Sequence, residues 1–412
     1  MSPQLRSRMS TQIKAGSIPR IFNLNPTVES QLQIQTMPEQ LNIVIIGAGL
    51  IGPRHAQSVQ AHPETNLIAF IDPSPSALPI ATSFNVPCHP SLDALLSSES
   101  TPTPDAAIVC TPNHTHVPLA LQLLEKKIHI LLEKPVSDSL ATAESLLSAA
   151  SQTSDVKILV GHHRRFNPYI QSTKSLLDAN SLGTVIAVNG LWTLLKPDSY
   201  FAPPLGAWRA DKTKGGVLGI NLIHDIDVLQ FLFGPVTRVF AEATKPQRLV
   251  TNPDHTAEEG CAVTLRFAGG VVGTFLVSDV VPSPLNFETG TRENPTIPGV
   301  DREESASDCY RIFGRGGSLS VPDMTRWSYD DSRVNGSGEK KGWNCALNVE
   351  RMPVDVVDVK PFDRQWAHFV RVLRGEEEVS CSVEDGVRAL RVVGGVREAM
   401  ESGMPVDIAD VK

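Results

Sequence analysis

Two side chains able to carry protons stand apart from their apolar surroundings. Lys134, in Glu133-Lys134-Pro135, directly follows the run Ile128-His129-Ile130-Leu131-Leu132. Its ammonium group therefore ends a buried strand and faces a cleft. Burial and nearby cations lower a lysine pKa towards the range of proton exchange near neutrality. An isolated Lys-Pro after a strand would instead read as a surface lysine. His224 interrupts the apolar face of a helix expected over Gly216–Phe233. A lone helical histidine is usually a core residue with its ring satisfied, but opposite a cleft lysine it becomes an acid/base candidate. Asn221, three residues before it, can face the same way and hold the imidazole by a hydrogen bond. With Lys134 and His224 it forms the candidate catalytic and substrate-binding set.

A second chemistry lies nearer the start. The apolar run Asn42–Ile46 leads into Gly47-Ala48-Gly49-Leu50-Ile51-Gly52, with glycines at GxGxxG spacing. Gly47 permits the tight turn, Gly49 lets the backbone approach a pyrophosphate, and Gly52 lets the next helix lie close on the strand. The free N–H groups of that helix face the anion. Leu67–Ile71 is a further apolar run, and it ends at Asp72. There, about 20–25 residues beyond the glycines, a carboxylate holds a ribose 2′-hydroxyl. No Lys or Arg occurs between Arg54 and Lys126 to neutralise a 2′-phosphate, so the expected cofactor is NAD rather than NADP.

The elements that must position these groups alternate. Asp105–Cys110 reads as a strand ending in Thr111-Pro112-Asn113-His114-Thr115-His116, and helices are expected near Val117–Lys126 and Ala141–Ala150. Strands alternating with helices imply an α/β fold with a doubly wound parallel sheet over residues 38–160. Gly47–Gly52, Asp72, Thr111–His116 and Glu133–Pro135 all fall at the carboxyl edge of that sheet, where ligands of such folds bind. Over 161–412 the pattern becomes α+β, with strands following one another almost without helices: an open, mainly antiparallel sheet. Val281–Ser307 reads as an exposed insertion, 334–343 as a solvated loop, and two helices close the chain. His162, His163, Arg164 and Arg165 form a cationic cluster at the junction. Arg165 is a candidate for a substrate carboxylate or the cofactor phosphates; the alternative is pairing with carboxylates at the junction.

The chain has 412 residues and a net charge of −8, with acids and bases interspersed, which argues against a nucleic-acid partner. No apolar run reaches membrane-spanning length. Six cysteines lie far apart with no metal-ligand spacing, suiting reduced thiols and a cytoplasmic protein with no metal. Residues 1–37 lack helical or strand periodicity and read as a dispensable arm; four bases preceding any acid leave a mitochondrial presequence as the alternative. Cys261–Phe267 and Val271–Val277 place apolar residues on both faces of their sheet, which implies a homo-dimer or homo-tetramer.

Taken together, Gly47–Gly52, Thr111–His116, Glu133-Lys134-Pro135, Trp208-Arg209 and Gly215-Gly216 through His224-Asp225-Ile226-Asp227 resemble the Gfo/Idh/MocA oxidoreductases over about residues 41–405. The resemblance implies a Rossmann domain followed by a sheet domain used for oligomerisation. It also implies NAD or NADP, and hydride transfer at a carbinol carbon of a sugar, sugar acid, cyclitol or related small molecule. It makes Lys134 the catalytic lysine and His224 the catalytic histidine. Glu133, Pro112, Asn113 and His116 would lie around the cofactor, approached by Trp208 and Arg209. One departure is Ile220, four residues before His224, where many members carry an Asp. The resemblance also leaves open a non-enzymatic regulator of the same fold, and a biosynthetic oxidoreductase with a non-sugar substrate.

Overall fold

The computed structural model describes residues 39–203, 206–250, 252–298, 300, 308–330, 332, 334–355 and 360–411. The expectations for the N-terminal arm lie outside the described residues.

The first sheet has six strands: β1 (Leu41–Ile46), β2 (Thr65–Ile71), β3 (Cys88–His89), β4 (Ala106–Val109), β5 (His129–Leu132) and β6 (Ile158–Val160). All pair in parallel in the order β3-β2-β1-β4-β5-β6. Ile43–Ile46, Ala106–Val109 and Ile130–Leu132 are buried, because crossover helices cover both faces. Those helices include α1 (Gly52–Ala61), α2 (Ala77–Ser83), α3 (Leu92–Leu96), α4 (His116–Glu125) and α5 (Leu140–Ser151). The chain order reverses between β1 and β4, so the crevice at the carboxyl ends of these two strands is the place for a dinucleotide.

After α6 (Pro168–Asp178), a second sheet takes in β7 (Val185–Thr193), β8 (Val236–Ala243), β9 (Gly260–Phe267), β10 (Val272–Ser278), β11 (Tyr310–Gly314), β12 (Ser318–Val321), β13 (Thr325–Tyr329), β14 (Leu347–Arg351) and β15 (Val406–Asp407). Its order is β14-β13-β12-β11-β7-β10-β9-β8-β15, and only the β7–β10 pairing is parallel. The sequence reading lacked β13, β14 and β15. β14, Leu-Asn-Val-Glu-Arg, is an exposed edge strand without a buried alternate face. The expected helix over Gly216–Phe233 is two pieces: a π-helical stretch, Leu218–Leu222, and then α7 (Ile223–Phe233).

Val281–Ser307 is not an exposed insertion where described. It contains the short helix α8 (Phe287–Thr291), whose Phe287 and Thr289 are buried. Chain order and packing also part company at the end. Trp366, Phe369, Val370 and Val372 of α9 (Pro361–Leu373) belong to the core of the first sheet. Fully buried, each such side chain contributes ~1.5–3 kcal/mol. The helix α10 (Val383–Ser402) joins both cores: Val383 and Val387 lie in the first, Ala389, Val392, Val393, Val396 and Ala399 in the second.

Candidate active site

The glycine turn leaves β1 at Gly47, whose φ of +102° favours glycine and whose Cβ would lie 2.8 Å from the Cys110 carbonyl oxygen. A Cβ on Gly52 would come within 2.1 Å of the Gly47 carbonyl, so α1 can begin only with glycine there. Gly49 has nothing within 4 Å of that position. Two glycines thus serve the chain's own packing, while the third faces open space, as backbone approach to a pyrophosphate requires. Asp72 follows β2 as expected. Its Oδ2 accepts from the Ala48 amide at 2.8 Å and its Oδ1 from the Ser74 amide at 2.9 Å. It braces the glycine turn and keeps lone pairs for a ribose hydroxyl. Leu50 is exposed at the tip and Ile51 precedes α1.

After β4, Asn113–Thr115 forms a 3₁₀ turn leading into α4, with Thr115 Oγ1 donating to Thr111 Oγ1 at 2.7 Å. Pro112 and Asn113 stay at the surface of this turn. His116, expected at the cofactor, is buried beneath it. Its Nδ1 and Nε2 lie 2.8 Å from the carbonyl oxygens of Pro135 and Thr111. Burial lowers its pKa, more than the two carbonyl contacts raise it. A neutral ring donates to one carbonyl at a time, and His116 clips the two functional loops together.

Glu133, also expected around the cofactor, is buried behind Lys134. Its Oε1 lies 2.8 Å from His55 Nε2, and its Oε2 accepts from the Lys134 amide at 3.1 Å. Burial would raise the Glu133 pKa, but the His55 hydrogen bond and the His55 and Lys134 charges outweigh it and hold it at about 2. Lys134 is half-buried, and the Lys134–Pro135 bond is cis. Burial lowers the Lys134 pKa against the pull of Glu133, and Arg164 adds to the lowering. Lys134 Nζ lies 3.5 Å from the Ile220 carbonyl oxygen, the outer limit of a hydrogen bond. That carbonyl belongs to the π-helical stretch of the second domain, a feature frequent at functional sites.

His224 lies close enough to Lys134 for the lysine's charge to act on it. Burial first, then Lys134, Arg164, His163 and His162, push its pKa well below the ordinary 6.5, so the ring is neutral. Its Nδ1 is buried without a partner. Asn221, expected to hold this ring, does not. Its Oδ1 accepts from Lys196 Nζ at 2.6 Å, because the π-helical stretch breaks the α-helical spacing that would place it beside His224.

Lys196 joins the site without being among the residues expected from the sequence. It is buried between the rings of Trp192 and Tyr200, 5.4 and 4.8 Å away, with Asp279 Oδ2 at 3.5 Å. Burial, against Asp279, brings its pKa down to about 8. The available signal was a repeat of the Lys134 pattern: Leu194-Leu195-Lys196-Pro197, a lysine-proline just past a strand. Glu288 is a further residue that the sequence does not mark. It accepts from Arg164 Nη2 at 2.6 Å and from Trp192 Nε1 at 2.8 Å. It comes from the segment read as an exposed insertion.

Arg165 is withdrawn from the substrate. It is only 4% exposed, and Asp227 takes its Nε and Nη2 at 2.6–3.1 Å, while Nη1 reaches the Ser380 carbonyl and Asp385. Arg164 is likewise paired with Asp225 and Glu288. The pairing alternative is the one realised. Trp208 and Arg209 occupy a 3₁₀ turn, Ala207–Ala210. Trp208 is 42% exposed. Arg209 donates to the Tyr200 carbonyl at 2.8 Å and lies over that ring at 4.2 Å. A Cβ on Gly215 would meet the Arg209 carbonyl at 2.3 Å, which explains a glycine behind this turn.

Residues 41–162 match the family model of the Oxidoreductase family, NAD-binding Rossmann fold, and residues 174–408 match that of its C-terminal alpha/beta domain. The chain belongs to the Gfo/Idh/MocA oxidoreductase family. It is 26% identical over 379 residues to the uncharacterized oxidoreductase YrbE of Bacillus subtilis, spanning 90% of this chain and 98% of that one. It is 31% identical over 191 residues to an inositol 2-dehydrogenase of Rhizobium meliloti, spanning 46% of this chain and 54% of that enzyme. The crystal structure of an oxidoreductase from Agrobacterium radiobacter in complex with NAD+, L-tartaric acid and magnesium superposes with a TM-score of 0.69 at 16% identity, covering 90% of this chain and 98% of that one. At that identity the likeness speaks for the fold. This Gfo/Idh/MocA member is an NAD-binding oxidoreductase: the open space above Gly49, the helix start at Gly52 and the Asp72 carboxylate suit the dinucleotide. No helix among the described residues is long and apolar enough to cross a membrane, and no group of three His, Cys, Asp or Glu among them could hold a metal ion.

Proposed function

We propose that this chain oxidises a carbinol carbon of a polyhydroxylated small molecule, a sugar, sugar acid or cyclitol, with NAD as acceptor. The observation that carries the reading is that half-buried Lys134, at the carboxyl end of β5, comes within 3.5 Å of the Ile220 carbonyl, in the π-helical stretch that leads into the helix of the neutral His224, close enough for the lysine's charge to act on that ring. Bound NAD supplies the hydride acceptor. Gly47–Gly52 would hold the pyrophosphate and Asp72 the adenosine ribose, with Thr111–Asn113 beside them. Neutral Lys134 takes the hydroxyl proton as hydride leaves, and its charged form returns a proton in the reverse direction. His224 polarises the same oxygen without adding a positive charge beside Lys134. Both groups are aligned by the closure of two domains, which also excludes water. The test is NADH formation by the purified protein with a panel of sugars, sugar acids, cyclitols and diols. Dinucleotide binding without turnover on any of them would point to the regulatory alternative.

NADH should bind more tightly than NADPH. Asp72 stands where a 2′-phosphate would lie, with no cation in its loop to answer it. Calorimetry decides this, and tighter NADPH binding would reject it.

A second copy of the chain is the proposed protein partner. On the second sheet, Val263, Leu265, Phe275 and Val277 turn inward, while Val272, Leu276 and Phe313 stay exposed on the other face, with Val349 further along at 63%. A hollow of about 490 Å³ lies there, lined in part by Val272, Thr274, Phe313, Arg238 and Arg266. An apolar face of this kind is covered by a symmetric copy. Light scattering at micromolar concentration should report a dimer or tetramer, and Leu276→Glu should dissociate it. A wild-type monomer would contradict the proposal.

A further inference from the structure

We propose that His55 is a positioning residue of the active site, which acts on Lys134 through the carboxylate of Glu133. His55 lies in α1, just beyond the glycine turn, and is 1% exposed. Its Nε2 is 2.8 Å from Glu133 Oε1, while Glu133 Oε2 receives the Lys134 amide at 3.1 Å. One carboxylate thus joins the helix that follows the dinucleotide turn to the residue that handles the proton. An ionised Glu133 can only accept, so His55 Nε2 carries the N–H of this contact, while His55 Nδ1 is buried with no partner.

The ring cannot swing away. Phe362, at the start of α9, meets it edge-on with centroids 5.2 Å apart, and stacks on His163 at 4.3 Å on its other side. Asp363 accepts from Arg54 at 2.8 Å and from Ser58 at 2.7 Å, one residue before His55 and three after it, so α9 pins this stretch of α1. The carboxylate is equally confined: a Cβ at Gly161 would stand 3.2 Å from Glu133 Oε1.

The charges explain what this arrangement does. Glu133 faces His55, Lys134 and His163, which favour its ionised form, and it acts in turn on Cys110, His116 and His162. Lys134 faces Glu133 and Glu288, which favour its charged form, and Arg164, which with burial disfavours it. Its own charge bears on His116, His162 and His224. Without the His55 hydrogen bond and charge, burial raises the Glu133 pKa against Lys134 and His163 alone and so favours its protonated form. Lys134 then loses its nearest counter-charge while burial and Arg164 remain, so its neutral form is reached at lower pH.

This inference rests on the proposed role of Lys134, but its test needs no substrate. Acetylation of Lys134 by acetic anhydride in the full-length protein, followed against pH by peptide mass spectrometry, reads the neutral amine directly. In His55→Leu the labelling midpoint should move down by about one pH unit or more. His55→Gln, which keeps an N–H donor, should stay near wild type, and adding Glu133→Gln to His55→Leu should move the midpoint no further. A midpoint unmoved in folded His55→Leu, judged by far-UV dichroism and NADH binding, overturns the proposal. If that variant does not fold, ¹⁵N-histidine spectra of the wild type and Glu133→Gln serve instead. His55 should show an Nε2–H signal that shifts when the carboxylate is lost, and an unshifted signal overturns the proposal. Failure of these readouts is separable from failure of the functional reading, which would appear either as absent turnover of the wild type on the whole substrate panel or, once a substrate is found, as near-normal turnover in Lys134→Ala.

Discussion

Lys134→Ala is expected to lower turnover by about 10⁴-fold, the upper end for loss of a positioned acid/base group, with NADH affinity unchanged. The strand sets the magnitude. Leu132 pairs with Val109 on one side and Val160 on the other, and the Glu133 amide donates to the Val109 carbonyl at 3.0 Å. The lysine therefore enters the cleft from a backbone held on both sides, and the two nearest candidates among the described residues to replace it are already engaged. Arg164 is spent on Asp225 and Glu288, and Lys196 is held by Asn221. In alcohol oxidation the neutral amine is the active form, so turnover rises with pH through the Lys134 pKa. Burial and Arg164 place that limb below the ordinary lysine value of 10.5. His224→Ala should cost nearer 10²-fold, because a ring already neutral gives up polarisation but no charge. Steady-state kinetics on the substrate found by the panel tests both, and near-normal turnover of Lys134→Ala would end the assignment.

Arg165→Ala is expected to destabilise the fold by about 3–5 kcal/mol, because it strands Asp227 as an unpaired charge inside the protein. Asp227 and Arg165 are 1% and 5% exposed in their side chains, and the pair lies between α7 and the Ser380–Asp385 segment before and within α10. The residue thus clamps the second domain to the helix that serves both cores. Asp227→Asn in the Arg165→Ala background should recover part of the loss, since an amide is less costly to bury than a carboxylate. Chemical unfolding measures this. If Arg165 instead read a substrate carboxylate, the variant would keep its stability and raise KM for sugar acids alone.

The local signals in the chain were strong where backbone and burial act at short range. The Gly47–Gly52 turn, Asp72 at the end of β2 and Lys134 past β5 were legible, because apolar runs mark parallel strands and glycines mark turns with no room for Cβ. The switch from alternating helices and strands to a mainly antiparallel sheet was legible for the same reason. What long-range packing decides was not legible. Arg164 and Arg165 carry the same charge whether they meet a ligand or an internal carboxylate, and only the approach of Asp225, Asp227 and Glu288 settles that both are paired. Asn221 and Ile220 were placed by α-helical geometry, and a π-helical stretch turned Asn221 to Lys196 and the Ile220 carbonyl towards Lys134. Glu133 and His116 stand in the loops that carry the chemistry, yet their side chains turn inward, to His55 and to two carbonyls. Phe362 reaches His55 from the far end of the chain. The sequence by itself determined which backbone segments reach the cleft, since hydrophobic period and turn chemistry are local. Only the tertiary structure decided which of their polar side chains remain free to act there, because a buried charge takes whichever partner the packing brings within hydrogen-bond reach.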